Sequence, residues 1–213
     1  MDKFTDQMKE WSGKFGKEYT DRNSLSVEEY DARYEENHGI TLSEIDRRFT
    51  EPLDRSARIL ELGSNVGNQL ILLQNIGFTN LYGIDVQRYA VELSKTRTKN
   101  INIIQGSAFD VPFKDNFFDM VFTSGLLIHI NPKDVSSMLK EVYRCSKKYI
   151  WGIEYYAPEY TEINYRGHND LLWKCDFAKL YLEIFNDLEL VKEERISYKT
   201  NDNLDTVFLL RKK

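Results

Sequence analysis

The stretch Glu61–Asn68, with the sequence ELGSNVGN, carries the strongest local signal in the chain. It joins the apolar run Arg58–Leu62 to a segment whose apolar residues have helical spacing, which predicts a turn between a strand and a helix. Gly63 allows the chain to turn sharply and a ligand to approach the backbone. Gly67 opens the helix, whose free N–H groups face the same cleft. A tight turn that binds nothing is the alternative interpretation of this stretch.

Outward from this turn, short apolar runs alternate with amphipathic segments as far as the end of the chain. Before Pro52 the sequence is polar and helical in character, so we divide it into an N-terminal helical extension, residues 1–52, and a domain, residues 53–213. The predicted strands are 58–62, 81–86, 101–104, 120–123, 149–153, 188–196 and 204–210. The predicted helices are 67–76, 88–97, 132–145 and 177–185, with Pro132 and Asp176 at helix starts.

This alternation predicts an α/β fold with a doubly wound, mostly parallel seven-stranded sheet that helices cover on both faces. The turn at residues 200–203 is too short for a crossover helix, so the last two strands form a C-terminal antiparallel hairpin. Ligands of such sheets lie beyond the carboxyl ends of the strands, at the point where the strand order reverses. The residues that end strands one, two and four therefore line the predicted site.

Composition narrows the possible functions and locations. The 213 residues carry 29 Lys and Arg against 34 Asp and Glu, a net charge of −5, which disfavours a general nucleic-acid binder. Cys145 and Cys175 are isolated, so we expect neither a disulfide framework nor a metal site, and we expect a reducing cytoplasm. We expect no membrane anchoring, since no run approaches ~20 apolar residues and residues 1–7 have no signal-peptide core.

A carboxylate ends the second strand. Asp85 stands 22 residues after Gly63, at the distance where a carboxylate accepts hydrogen bonds from both ribose hydroxyls of a nucleoside cofactor. The alternative is that Asp85 only caps the following helix. The combination of the glycine turn and Asp85 favours a bound nucleoside.

Two further segments complete a recognisable set. Residues 106–113 read GSAFDVPF, and residues 117–130 run through strand four into its loop as FFDMVFTSGLLIHI. Together with ELGSNVG and GID at 83–85, this order resembles the class I S-adenosylmethionine-dependent methyltransferases of the methyltransferase domain 11 group, over residues 58–145. The resemblance implies a Rossmann-like fold, methyl transfer and S-adenosylmethionine as cofactor.

The resemblance also assigns roles to particular residues. It places Glu61, Gly63 and Gly67 around the methionine and ribose, Asp85 on the ribose, and Ser107, Ala108 and Phe109 around the adenine. The cofactor-binding residues that it implies are Glu61, Gly63, Ser64, Asn65, Gly67, Asp85, Ser107, Ala108, Phe109 and Thr123. Many relatives carry Asp where Ser107 stands, so the adenine amine here would meet a hydroxyl or, alternatively, the carboxylate of Asp110.

The flanks resemble a narrower group. Residues 11–23, WSGKFGKEYTDRN, and residues 165–177, YRGHNDLLWKCDF, are similar to methylases encoded with pseudaminic (nonulosonic) acid biosynthesis. This resemblance implies a sugar or sugar-nucleotide intermediate as the small-molecule acceptor. It says nothing about the oligomeric state or about the acceptor atom.

The residue types in these flanks suit such an acceptor. Aromatic faces and arginine bind a sugar that carries a carboxylate or phosphate, since arginine makes paired, charge-assisted hydrogen bonds to either group. The candidate acceptor-binding residues are Tyr19, Arg22, Asn23, Tyr155, Tyr156 and Arg166. The alternative is that the tyrosines only pack at the surface.

Methyl transfer from a sulfonium needs alignment and exclusion of water more than an elaborate catalytic triad. If a hydroxyl or amine is methylated, a base must take a proton, and His129 or His168 could do so near neutral pH. A histidine after the apolar Leu126–Ile128 is more often a buried structural residue. The charged stretch 28–36 is interpreted as a solvated helix face.

Two other functions remain open from the sequence. One is a non-catalytic module that binds S-adenosylmethionine or another nucleotide. The other is an NAD-dependent sugar-modifying enzyme, because Tyr143 and Lys147 have the spacing Tyr-x-x-x-Lys of such enzymes. The second is disfavoured by Asn65, which replaces the second glycine of the pattern G-x-G-x-x-G that approaches a pyrophosphate.

Overall fold

A seven-stranded sheet forms the centre of the computed structural model, which describes residues 5–213. In chain order the strands are β1 Arg58–Leu62, β2 Asn80–Asp85, β3 Ile101–Gln105, β4 Phe118–Ser124, β5 Ser146–Tyr155, β6 Thr161–Glu162, β7 Trp173–Lys174, β8 Leu188–Ser197 and β9 Leu204–Lys212. The order within the large sheet is β3-β2-β1-β4-β5-β9-β8. The first five strands are parallel, and β9 pairs antiparallel with β5 and β8. The predicted doubly wound sheet with a terminal hairpin is confirmed.

The N-terminal extension is helical, and its first four residues lie outside the described part of the chain. Its helices are α1 Asp6–Ser12, α2 Lys14–Asn23, α3 Val27–His38 and α4 Leu42–Thr50. Ser26 and Glu29 form a reciprocal capping box at the start of α3. Helix α4 buries one face, including Ile45 and Phe49, in the core layer between the sheet and the helix that follows β1. The extension therefore packs on the domain rather than standing apart from it.

Four helices connect the parallel strands and the terminal hairpin: α5 Asn68–Asn75, α6 Arg88–Arg97, α7 Pro132–Cys145 and α8 Phe177–Ile184. Local signals mark where they begin. Gly67 precedes α5 with φ 85°, and Asn131 caps α7, whose first residue is the predicted Pro132. The Asp176 side chain accepts a hydrogen bond from the Lys179 amide at 3.0 Å, so the predicted cap of α8 is confirmed.

The core has a layer on each face of the sheet, as expected for strands buried on both sides. One layer packs α7 and α8 against the sheet and includes Met138, Phe177 and Phe208. The other packs α4 and α5 and includes Phe49 and Trp151. The segment between β5 and α8 holds a short hairpin, β6 and β7, which the sequence analysis did not predict. Among residues 5–213, no helix combines the length and apolarity needed to cross a bilayer.

Candidate donor cleft

A large cleft lies beyond the carboxyl ends of β1, β2 and β4, where the strand order reverses. Its volume is about 1140 Å³ including the open mouth, which is ample for a nucleoside cofactor. The loops after the strands form its floor, and helices α1, α2 and α3 cover it. Chemically notable lining residues are Met8, Trp11, Tyr19, Asn23, Tyr30, Glu61, Gly63, Ser64, Asn65, Asp85, Ser107, Ala108, Phe109, Ser124 and His129. The cleft is where the topology predicts a ligand site.

The turn after β1 is fixed by its backbone. The amides of Gly63 and Ser64 both donate to the Ile84 carbonyl, at 2.8 and 3.1 Å, so the turn is bound to the end of β2. Gly63 has φ 74°, and a Cβ there would lie 2.8 Å from the Leu126 side chain. Glycine is required at this position by conformation and by space. Gly67 lies at the helix start with φ 85° and does not itself line the cleft.

Asp85 lies at the end of β2 and lines the cleft. Its carboxylate accepts hydrogen bonds from the amides of Asn65, at 2.8 Å, and Gln87, at 2.7 Å. The helix cap is Gln87, not Asp85, so the alternative of a mere capping residue is wrong. Burial raises the pKa of Asp85 to about 6, and the two amides oppose this rise. Each oxygen keeps a lone pair for a further donor.

The cleft is rich in buried oxygen atoms without a partner. Among the described residues these include Glu61 Oε2, Ser64 Oγ, Asn65 Oδ1 and Gln69 Oε1. Burial, with the nearby charges of Asp85 and Asp46, raises the pKa of Glu61 well above its usual range. Buried polar groups in folded proteins are normally satisfied. The floor is therefore built for a ligand that brings hydrogen-bond donors and positive charge.

The loop after β3 also lines the cleft. Ser107, Ala108 and Phe109 line the cleft, and the Ser107 hydroxyl accepts the Phe109 amide at 3.0 Å. Asp110, the alternative contact for adenine, is exposed and lies outside the lining, where its amide donates to the Ser107 carbonyl. The structure therefore does not bring Asp110 to the cleft, because the Ser107–Asp110 turn carries it outward.

Thr123 is likewise not part of the lining. It is buried within β4, and its side chain donates to Glu154. The Glu154 carboxylate also accepts the amides of Leu126 and Leu127, each at 3.2 Å, and so organises the loop after β4. Burial raises the pKa of Glu154 to about 7 despite these donors. The predicted cofactor contact of Thr123 is replaced by Ser124, the next residue, which lines the cleft.

His129 lies in the cleft and is buried. Its Nδ1 is 2.7 Å from the Leu171 carbonyl, so Nδ1 carries the proton and Nε2 keeps its lone pair. Its ring is 4.4 Å from the ring of Trp11 and 5.5 Å from that of Tyr165, centroid to centroid. Burial lowers its pKa to about 4, and the ring is neutral at physiological pH. The position fits the structural role that the sequence analysis gave as the alternative.

The cover of the cleft holds residues that the sequence analysis missed. The Gln87 side chain donates to the carbonyls of Trp11, at 3.0 Å, and Gly13, at 2.9 Å, and so binds the corner between α1 and α2. Tyr30 lines the cleft and hydrogen-bonds with Ser124. It belongs to the charged stretch 28–36, which has an exposed face as interpreted from the sequence, while Tyr30 and Tyr34 are partly buried against the core. The sequence signal that could have indicated this position is an aromatic residue within a run of charged residues.

The predicted acceptor-binding residues separate into two groups. Tyr19 and Asn23 line the cleft from α2. Arg22, on the same helix, is outside the lining but next to these residues. The side chain of Tyr155 lies near Tyr19 and hydrogen-bonds with Tyr198. Helix α2 thus brings three of the candidates together.

The other candidates face away from the cleft. Arg195 covers the Tyr156 ring, 3.8 Å from its centroid, on the side of β8. Arg166 and His168 are exposed at a turn, where Arg166 has φ 53° and the His168 ring is 5.3 Å from that of Phe15. Neither Tyr156 nor these two residues line the cleft. The short hairpin before α8 carries Arg166 and His168 outward, which sequence patterns did not indicate.

The spacing of Tyr143 and Lys147 has a structural explanation. The Tyr143 hydroxyl donates to Asp187 at 2.5 Å, and its ring stacks on Phe185. Lys147 is 3.8 Å from Asp119. Neither side chain lines the cleft, so this pair does not support an NAD-dependent reaction.

Comparison with known proteins agrees with this geometry. Residues 60–149 match the family Methyltransf_11, described as a methyltransferase domain. This segment resembles a methyltransferase domain. The match begins within β1 and ends within β5, and it includes the loops after β1, β2, β3 and β4. The predicted class I, S-adenosylmethionine-dependent type is thereby supported.

Relatives and solved structures extend the comparison. The chain is 20% identical to phosphoethanolamine N-methyltransferase of Plasmodium falciparum and 33% identical to demethylmenaquinone methyltransferase of Anoxybacillus flavithermus. These matches cover 63% and 60% of this chain and 59% and 56% of the two relatives. The magnesium protoporphyrin IX methyltransferase of Synechocystis PCC 6803, solved with bound S-adenosylmethionine, shares the fold over 100% of this chain and 98% of its own, with a TM-score of 0.71 at 15% identity.

The residues present fit S-adenosylmethionine. Its ribose hydroxyls and ammonium are donors, and its sulfonium is a cation, which complement the unpartnered oxygens and acidic floor of the cleft. Asp85 would hold the ribose, and Ser107, Ala108 and Phe109 would surround the base. Among residues 5–213, no group of three or more His, Cys, Asp or Glu side chains is arranged to hold a metal ion.

Proposed function

We propose that this protein transfers a methyl group from S-adenosylmethionine to a small-molecule acceptor. One observation carries the proposal. The floor of the cleft combines a glycine turn, a strand-ending carboxylate and several buried oxygens without partners, inside a matched methyltransferase domain.

The chain's part in this reaction is binding, orientation and exclusion of water. The donor, when bound, supplies an electrophilic methyl group on a sulfonium. Asp85 and the turn at Gly63 orient it from below, while Trp11, Tyr19 and Tyr30 cover it from above. Such enclosure aligns the reacting groups and removes water, the two effects from which this reaction gains most.

The protonation of His129 limits its role. With a pKa near 4, His129 is neutral throughout the physiological range. It is therefore a weak base, but it does not have to lose a proton before it can accept one. We propose that His129 Nε2 orients an acceptor hydroxyl or amine, and that solvent takes the proton. His168 was the other predicted base, and its exposed position outside the lining argues against that role.

For the acceptor we propose a carbohydrate intermediate of nonulosonic (pseudaminic) acid biosynthesis, in the cytoplasm. The support is the resemblance of residues 11–23 and 165–177 to the methylases of that pathway. The first of these segments forms much of α1 and α2, which cover the cleft.

Calorimetry first tests whether the protein binds the methyl donor. Titration of S-adenosylhomocysteine should give one binding site per chain, and titration of NAD should give no heat beyond dilution. Turnover is then tested with methyl-labelled S-adenosylmethionine and a panel of nucleotide-activated nonulosonic intermediates. Donor binding with no transfer to any acceptor in the panel or in a metabolite extract would instead indicate the non-catalytic module.

A further inference from the structure

Arg22 carries a charge that the protein itself does not neutralise. It lies on α2 and is partly buried, and its Nε and Nη2 are buried without a hydrogen-bond partner. Leaving a buried guanidinium nitrogen unpaired is costly, more so than for a neutral donor. Such an arrangement persists in folded proteins where a ligand completes it.

Arg97, which also contacts the end of α2, is a comparison for Arg22, because its hydrogen bonds have a structural role. Its two terminal nitrogens donate to the carbonyls of Ser24 and Leu25 and to the Asn68 side chain, and thereby hold the end of α2 on the domain. Both arginines leave Nε without a hydrogen bond, but Arg22 also leaves the terminal Nη2 without one, whereas both terminal nitrogens of Arg97 are bonded. The Arg22 side chain therefore has no visible structural task.

The position of Arg22 relates it to the cleft. Tyr19 and Asn23, its neighbours on α2, line the cleft. Burial raises the pKa of Tyr19, the hydroxyls of Tyr165 and Tyr155 and the carboxylate of Asp85 add to the rise, and the charge of Arg22 opposes it. The Tyr19 hydroxyl therefore interacts electrostatically with Asp85, Tyr155, Tyr165 and Arg22.

The charged groups around Tyr19 fall into two sets that suit different ligands. The donor floor is acidic, with Glu61 and Asp85, and suits a cation. Arg22, Tyr155 and Tyr165 lie outside the lining of that floor and interact electrostatically with Tyr19, which does line it. A guanidinium with free nitrogens beside phenol hydroxyls suits an anion, since a carboxylate or phosphate accepts paired bonds from its fork.

We propose that Arg22 binds an anionic group of the methyl acceptor, a carboxylate or a phosphate, and so selects acidic acceptors. The proposal rests on the proposed methyl transfer and deepens it. The donor's own carboxylate is the competing anion, and the affinity for S-adenosylhomocysteine in the variants below separates the two.

The charge of the methylated product tests the proposal and does not require the acceptor to be identified. The protein is incubated with methyl-labelled S-adenosylmethionine and a small-molecule extract of the source cells, and the labelled product is passed over an anion exchanger at pH 7. We expect the product to be retained, while the cationic donor flows through. Release of the label at pH 3 identifies a carboxylate, and loss of retention after phosphatase treatment identifies a phosphate.

Variants then assign the recognition to Arg22. Arg22→Gln should lower kcat/KM for the acceptor by about 30-fold or more, because a buried charged partner is lost. Arg22→Lys should recover part of the loss, since it keeps the charge without the fork. Arg33→Gln, an exposed arginine on α3, is the matched control and should change kcat/KM by less than about twofold. S-adenosylhomocysteine affinity should stay within about threefold in every variant, which also shows that the fold is intact.

Three results would overturn the proposal while leaving methyl transfer in place. These are a labelled product that the exchanger does not retain, an unchanged kcat/KM in Arg22→Gln, and an equal loss of S-adenosylhomocysteine affinity, which would assign Arg22 to the donor carboxylate. An extract in which the wild type labels nothing would count against methyl transfer itself, and the proposal about Arg22 would fall with it.

Discussion

The floor and the cover of the donor cleft are built in different ways. In the floor, backbone groups close the structure locally: two amides of the first turn donate to the Ile84 carbonyl, and Asp85 accepts two further amides. In the cover, single side chains join parts of the chain that are far apart in sequence. Gln87 binds the carbonyl of Trp11, Asn68 binds that of Asn23, and Gln7 binds that of Asp170.

This difference has a consequence for ligand exchange. The floor is part of the parallel sheet and opens only with it, whereas α1 and α2 are held by polar bonds at their ends and by aromatic contacts of Trp11 and Phe15 with His129, Tyr165 and His168. Segments with few buried contacts open at lower free energy than core strands. We therefore expect the floor to set donor affinity and the cover to set the rate at which the donor leaves.

The largest effect is expected at the floor, for Asp85→Ala. The variant removes the ribose acceptor and leaves the amides of Asn65 and Gln87 unpaired, so S-adenosylhomocysteine should bind about 100-fold more weakly by calorimetry. Asp85→Asn keeps the size but only one acceptor oxygen, and its affinity should fall between those of Asp85→Ala and the wild type. A loss of less than about fivefold in Asp85→Ala would mean that the floor does not hold the ribose there.

Donor affinity should also depend on pH through Asp85. Its pKa of about 6 implies that the carboxylate is lost as the pH falls below 6, so the Kd of S-adenosylhomocysteine should rise between pH 7 and pH 5. The profile should be less steep over the same range in Asp85→Asn, which removes this titration and leaves that of Glu61.

A comparison of Gly63 with Gly125 separates the effect of steric crowding from the effect of backbone conformation. Gly63 and Gly125 both have positive φ, 74° and 63°, but a Cβ would lie 2.8 Å from Leu126 at Gly63 and meets nothing within 4 Å at Gly125. Gly63→Ala should lower the free energy of unfolding by about 2 kcal/mol or more and donor affinity about tenfold. Gly125→Ala should cost only about 1 kcal/mol, by urea unfolding. Equal losses would mean that the floor is not sterically closed.

Gln87→Glu tests the cover with the helix cap kept. A carboxylate still accepts the Tyr89 amide, but it cannot donate to the carbonyls of Trp11 and Gly13. We expect S-adenosylhomocysteine to dissociate about three- to tenfold faster in stopped-flow measurements, with an unchanged association rate. Tyr89→Phe is the control, because it removes an exposed bond to Asp21 in α2 and should change the rate by less than about twofold. An unchanged rate in Gln87→Glu would show that the corner does not hold the donor.

The last prediction concerns stability rather than binding. The pKa of Glu154 is about 7 in the folded protein, above its value in the unfolded chain, so the folded state holds the proton more tightly. The contribution of Glu154 to the free energy of unfolding is therefore fully present below about pH 4.5 and is lost as the pH rises through 7. Glu154→Gln should flatten the fall in unfolding free energy between pH 5 and 7 by up to about 1.4 kcal/mol per pH unit. An identical slope would mean that Glu154 is ionised in the fold.

The sequence predicted the floor better than the cover for a physical reason. The turn at Gly63, the strand that ends at Asp85 and the loop at Ser107 are each specified by residues within a few positions. The cover depends on where α1 and α2 come to rest, which residues such as Gln87 and Tyr30 decide from elsewhere in the chain. The outward positions of Arg166 and His168 follow from a hairpin closed by only two residue pairs, which has little local signature.

The sequence by itself determined the doubly wound sheet, its terminal hairpin and the donor side of the cleft, because alternating apolar periodicity, glycine conformation and strand-ending polar residues act over short distances. Only the tertiary structure decided that Thr123 turns to Glu154, that His129 is buried under Trp11 and that Arg22 keeps two unpartnered nitrogens beside Tyr19. These outcomes depend on burial and on partners about 30 to 120 positions away, which no local pattern encodes.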